Sequence, residues 1–261
     1  MEIILSEPIL VFDSGIGGLS VLTEIRKLLP DHNYHYVFDN ARLPYGNLSE
    51  DELIKGCVEL IVKQVTKINA AIVVVACNTA STLVLPHLRA CLTIPVVGVV
   101  PAIKPAALIS RKKHIGLLAT PGTVKRDYTH ELINEFAEDC KVELFGSSEL
   151  VIMAENYFAG KPIAVDVLAE ILRPIKEADI DVLVLGCTHF PMIAEQIKVT
   201  LGDKIALLDS GAAVASRVVT LMKQNDTLSG MMTVNYTKDI SNGLYRALVG
   251  YGFTDVKQIT D

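Results

Sequence analysis

Twice in this chain a continuous run of β-branched and leucine side chains stops abruptly at a cysteine. Val73-Val74-Val75-Ala76 runs into Cys77-Asn78-Thr79-Ala80-Ser81, and Leu183-Val184-Leu185-Gly186 runs into Cys187-Thr188-His189-Phe190-Pro191. Runs this apolar, with no polar alternation, read as strands buried on both faces, the condition of a parallel sheet covered by helices. The polar residues that follow sit where the next helix would begin. Two sulfurs at two such strand ends suggest a single site.

The rest of the chain supplies the crossovers that parallel strands need. Apolar runs at 9–12, 34–38, 94–100, 115–119, 142–145 and 205–208 alternate with helical patterns. Helices are expected over 19–29 and from the capping box Ser49-Glu50-Asp51-Glu52 to about Lys67. Another starts near Thr79, with Pro86 kinking it or opening a second one. Further helices are expected from 123 to about 138, over 148–158 and 164–178, from about Met192, and after Asp209-Ser210-Gly211. Residues 224–230 read as a polar loop, and 231–236 and the last ten residues as peripheral strands around a helix at 240–249.

Cys187 follows Cys77 by nearly the interval that separates Thr120 from Asp13, and all four close a strand. A near-constant offset predicts a duplicated unit. The expected fold is α/β, with two pseudo-symmetric open parallel-sheet domains and the active site in the cleft between them. The first domain takes residues 1–99 plus 209–261 and the second 100–208, with Pro101-Ala102-Ile103-Lys104-Pro105 at the first crossing.

Composition narrows the function. Half of the 261 residues are hydrophobic, enough for a substantial core, yet no apolar run reaches the ~18 residues that span a bilayer. The opening Met1-Glu2-Ile3-Ile4-Leu5-Ser6-Glu7 lacks a basic stretch and a long apolar one, so no secretory signal is expected and the protein reads as cytoplasmic. With net charge −6 and no cluster of Lys or Arg, nucleic acid is not expected as the main partner. The five cysteines, Cys57, Cys77, Cys91, Cys140 and Cys187, are widely spaced and form no Cys-x-x-Cys, which argues against a disulfide framework or a zinc site. Cys57, Cys91 and Cys140 are expected to be small buried hydrophobes.

Ligands of open parallel sheets gather at the carboxyl ends of the strands, where every polar cluster here lies. A thiol at a helix start or beside a base can ionise near neutrality. His189 is placed to exchange a proton with Cys187, and Asp13 with Cys77. One thiolate would then take a proton from a substrate carbon while the opposite thiol returned one to the other face, inverting the centre without a cofactor. Two other readings stay open. Cys187 and His189 could serve a cysteine hydrolase, which leaves Cys77 idle. The turn Gly15-Ile16-Gly17-Gly18 could cradle a nucleotide, although Asp13 beside it would repel a phosphate.

Four stretches, Asp13-Ser14-Gly15-Ile16-Gly17-Gly18-Leu19-Ser20-Val21, Pro44-Tyr45-Gly46, Ala76-Cys77-Asn78-Thr79-Ala80-Ser81 and Gly186-Cys187-Thr188-His189-Phe190-Pro191, resemble in the same order the glutamate racemase family of the aspartate/glutamate racemase superfamily. The resemblance covers about residue 9 to at least 215. It implies a cofactor-independent, two-base interconversion of L- and D-glutamate that supplies D-glutamate to bacterial peptidoglycan. By resemblance Cys77 and Cys187 are the catalytic pair, and Asp13 and His189 assist them. Asp13, Ser14, Tyr45, Gly46, Asn78, Thr79, Thr120, Thr188 and His189 contact the substrate. Glu155 corresponds to a further assisting carboxylate, in surroundings that depart from the commoner pattern. Gly98-Val99-Val100-Pro101-Ala102-Ile103-Lys104-Pro105 looks like an enteric-type subgroup, for which UDP-N-acetylmuramoyl-L-alanine is a candidate activator. A monomer or homodimer is expected. The site motifs contain no Arg or Lys, so the substrate carboxylates must be met by backbone N–H groups and hydroxyls.

Overall fold

The computed structural model describes residues 7–222 and 229–260. Residues 1–6, where a leader was sought, and 224–228 of the expected polar loop lie outside the described residues.

The chain opens with β1 (Ile9–Asp13), α1 (Leu19–Leu28), β2 (Tyr34–Phe38), α2 (Glu50–Ile68), β3 (Ile72–Val75), α3 (Asn78–Cys91) and β4 (Val96–Gly98). All five residues of β1 are buried, because helices cover both faces. Ile9 and Val11 pack with Leu22 and Ile25 of α1, whereas Leu10 and Phe12 pack with Leu53, Cys57 and Ile61 of α2. The capping box at Ser49 and Glu52 opens α2 as expected.

After α4 (Ile103–Ile109) the chain enters a second sheet. It runs through β5 (His114–Ala119), α5 (Pro121–Val124), α6 (Asp127–Phe136), β6 (Lys141–Gly146), α7 (Glu149–Phe158), α8 (Val165–Glu177) and β7 (Val182–Leu185). A 3-10 turn, Phe190–Ile193, leads to α9 (Ala194–Leu201) and β8 (Ala206–Leu208). Next, α10 (Gly211–Leu221) returns to α1, packing Val214 and Val218 into the core of the first sheet. Last come β9 (Met232–Tyr236), α11 (Asn242–Tyr251) and β10 (Asp255–Gln258).

The first sheet has the order β10-β9-β2-β1-β3-β4 and the second β6-β5-β7-β8, with every pairing parallel. The second sheet repeats the β2-β1-β3-β4 arrangement of the first, so β1 corresponds to β5 and β3 to β7. The fold is α/β with two parallel-sheet units. Among the described residues no helix is long and apolar enough to cross a membrane.

Some expectations need correction. The single helix expected over 123–138 is broken, because Arg126 is extended and Thr129 turns its hydroxyl to the carbonyl of Thr123. Pro86 lies inside α3 and does not open a second helix, one of the two alternatives expected for it. Cys91, the last residue of α3, is exposed, and Cys140, in the turn before β6, is only partly covered; of the three cysteines read as buried, only Cys57 is.

Candidate active site

The residues just past β1, β3, β5 and β7 converge, since the corresponding central strands of the two sheets point their carboxyl ends at one another. Between them lies a small, narrow cavity. Ser14, Tyr45, Cys77, Asn78 and Thr79 line it from the first unit, and Thr120, Cys187, Thr188 and His189 from the second. Pro44, from one of the resembling stretches, completes the wall with Leu43 and Val151, which the sequence did not single out. Asp13, Gly46 and Glu155 stand outside the lining, and each bonds to or packs on a residue that is in it.

On one side, Cys77 is buried and its Sγ lies 3.8 Å from Ser14 Oγ. Asp13 is wholly buried and accepts the N–H of Ser14 at 2.6 Å and the Thr188 hydroxyl at 2.9 Å. Burial raises the Asp13 carboxyl above its ordinary value, although the charge of His189 and the bonds from Cys77, Ser14 and Thr188 pull it back down. Burial, and then the charge of Asp13, push the Cys77 thiol well up, which favours its protonated form. An ammonium group entering beside Asp13 would cancel part of that charge.

On the other side, Cys187 Sγ lies 3.8 Å from His189 Nδ1. His189 Nε2 lies 2.7 Å from Glu155 Oε1, which also accepts the N–H of Ile16 at 2.8 Å. Burial disfavours the imidazolium, yet Cys187 and then Glu155 outweigh it and hold His189 well above its ordinary value. The glycine turn owes its composition to this approach. A Cβ on Gly17 would sit 2.4 Å from His189 Nδ1, and one on Gly15 would sit 2.0 Å from Glu155 Oε1. A carboxylate therefore occupies the place a nucleotide phosphate would need.

Hydroxyls join the two units. Thr79 Oγ1 lies 3.0 Å from Thr120 Oγ1 and 3.2 Å from Thr123 Oγ1, and Ser20 donates to the Thr188 carbonyl at 2.8 Å. Thr123 and Ser20 were not named as site residues from sequence, though Thr123 lies three residues past Thr120 and Ser20 falls within the resembling stretch Asp13 to Val21. Asn78 Nδ2 is buried with no partner among the described residues, a donor left over in the cleft wall. Neither Arg42 nor Lys104 lines the cavity: Arg42 pairs with Asp39 and Lys104 lies over the Phe136 ring. Among the described residues no group of three or more His, Cys, Asp or Glu could hold a metal ion.

Paired strand-end thiols that line one cavity between two parallel-sheet units suit an isomerase that moves a proton between the two faces of a carbon. A family model for Asp/Glu/hydantoin racemases matches residues 18–218. A glutamate racemase of Shewanella frigidimarina is 66% identical over 98% of this chain and 99% of its own length. The Escherichia coli glutamate racemase, solved with L-glutamate and the activator UDP-MurNAc-Ala, superposes with a TM-score of 0.91 at 44% identity, covering 97% of this chain and 98% of that one. The Francisella tularensis enzyme, solved with D-glutamate, gives 0.80 at 25% identity, covering 97% of each. The chain belongs to the Asp/Glu/hydantoin racemase family and, within it, to the glutamate racemases.

Proposed function

We propose that this protein interconverts L- and D-glutamate by a two-base mechanism, with Cys77 and Cys187 on opposite faces of the substrate Cα. The observation that carries this reading is the pair of cysteines at corresponding strand ends, both lining one cavity. The Cα–H proton passes to the thiolate on one side and leaves a carbanion. The thiol on the other side then protonates the opposite face, so thiol and thiolate exchange roles and the centre inverts. Asp13 balances the substrate ammonium or holds the proton of Cys77. His189, steadied by Glu155, does the same for Cys187.

Ser14, Asn78, Thr79, Thr120 and Thr188, with the backbone of Tyr45-Gly46, supply neutral donors to the two carboxylates. Such donors stabilise charge strongly when preorganised in a water-poor site. The cysteine-hydrolase reading leaves Cys77 without a task, and the nucleotide reading meets the Glu155 carboxylate in the glycine turn.

The product D-glutamate would serve peptidoglycan assembly in the cytoplasm. Residues 1–99 with 209–261 would form one domain and 100–208 the other, in keeping with the strands each sheet receives. Activation by UDP-N-acetylmuramoyl-L-alanine is part of the proposal. Gly98 and residues 100–105 line an apolar cavity that Arg217 joins, and Lys104 and Arg217 are cations suited to a diphosphate.

Incubation with D-glutamate in deuterated water tests the reading. Loss of optical rotation with deuterium entering at Cα is expected, faster when the nucleotide is added. Absence of both rotation loss and label uptake, with and without the nucleotide, would overturn it.

A further inference from the structure

Leu43, Pro44 and Tyr45 form one wall of the cleft. The wall presses on the second unit. A Cβ on Gly46 would lie 3.2 Å from Thr120 Cβ, and one on Gly122 would lie 3.1 Å from Gly46 Cα. Yet the only regular structure here is the three-residue 3-10 turn Tyr45–Asn47, which has little stability of its own.

Asp39, the first residue past β2, is buried beneath this wall. Its Oδ2 accepts from Arg42 Nε at 2.5 Å and from the Tyr45 hydroxyl at 2.6 Å, and its Oδ1 accepts from the Thr237 hydroxyl at 2.8 Å. One carboxylate thus gathers the beginning of the loop, its cleft end and the segment that follows β9. Burial, with the neighbouring Cys57 and Asp39, pushes the Tyr45 phenol far up, so it remains a donor.

A second observation, on a different element, points the same way. Gly56 lies in the interior of α2, where glycine is ordinarily unfavourable. A Cβ there would fall 1.1 Å from an Arg42 guanidinium nitrogen and 2.2 Å from its Cζ. The helix gives up a side chain at the place where Arg42 crosses it to reach Asp39.

We propose that Asp39 is a positioning residue of the racemase: by gathering Arg42, Tyr45 and Thr237 it holds the Pro44–Gly46 wall against Thr120 and Gly122, and so sets the fit of the substrate rather than the chemistry at the cysteines. This rests on the racemase reading above. It also gives the closing β9–β10 segment a link to the cleft, through Thr237.

The test compares Asp39→Asn, which keeps the shape, with Gly56→Ala, which expels Arg42 from a helix outside the cleft. Two quantities are read: KM and kcat for glutamate, and amide hydrogen exchange over residues 43–48 in the free protein. In Asp39→Asn, KM should rise about tenfold with kcat within about threefold, and Gly56→Ala should move KM the same way by less. Exchange over 43–48 should quicken in both. Adding Tyr45→Phe to Asp39→Asn should raise KM less than the two single effects combined predict, because the pair acts as a unit. Unchanged exchange over 43–48, or an unchanged KM with a fall only in kcat and melting temperature, overturns the proposal. A wild type that fails to racemise glutamate overturns the functional reading instead, and the exchange measurement still decides whether Asp39 holds the wall.

Discussion

Thr188 donates its hydroxyl to Asp13 at 2.9 Å, so the carboxylate that ends β1 is held by a residue of the other unit, 175 positions away. The relation is mutual. Glu155, from the second unit, accepts the N–H of Ile16 in the first, and Ser20 returns a bond to the Thr188 carbonyl. The two units are therefore stitched together at the site itself. The groups proposed to assist each cysteine are also the groups that register one sheet on the other, so substitutions there should disturb chemistry and alignment together.

Cys77→Ser and Cys187→Ser should each nearly abolish racemisation, because a serine hydroxyl ionises too reluctantly to replace a thiol as acid or base. A fall in kcat of at least about 10²–10⁴-fold is expected, the usual share of a positioned acid or base. Polarimetry at saturating glutamate measures it. Full activity in either variant would rule out the two-base scheme.

Gly17→Ala places a methyl 2.4 Å from His189 Nδ1 and 2.7 Å from its backbone nitrogen. The backbone cannot yield as a flexible side chain would. Destabilisation of about 1–3 kcal/mol is expected from the overpacking, with a loss of activity larger than the lost stability explains. Thermal melting and kcat, measured on the same preparation, separate the two.

Thr79→Val removes a buried hydroxyl shared with Thr120 and Thr123. If that hydroxyl also meets a substrate carboxylate, kcat/KM should fall by about 1.5–3 kcal/mol, the range for a hydrogen bond to a charged group. Wild-type kinetics, together with glutamate carboxylates found on Arg42 or Lys104, would show the neutral-donor model to be wrong.

The pH dependence of His189 has a definite sign. Its folded value is raised, so its contribution to stability is complete below the ordinary imidazole range and is lost as pH rises through the elevated folded value. Glu155→Gln removes one of the groups that raise it. In that variant the imidazole resonances should titrate at lower pH, and melting temperature should depend less on pH across the same window. An unshifted titration would show that Glu155 does not act on His189.

The sequence by itself settled the strand ends. Strands covered on both faces carry apolar side chains at every position, so 73–76 and 183–186 could be read locally, and the cysteines that follow them were marked by position alone. The duplication of the unit was legible as two pairs of strand ends at a nearly constant offset, whereas the shared β2-β1-β3-β4 order emerged only from the pairing of the strands. Tertiary structure alone decided which side chains meet beyond those ends. Glu155 was named only through resemblance, and its bonds to His189 and Ile16 close separations of 34 and 139 positions. Asp39 stood in the sequence as an ordinary loop residue, and Gly56 as one glycine in a helix. Their meaning depends on Arg42 crossing α2, and no local pattern encodes that crossing. Burial is a periodic property of each element, whereas contact between side chains depends on how sheets and helices pack. That packing fixes the acid–base environment of each cysteine.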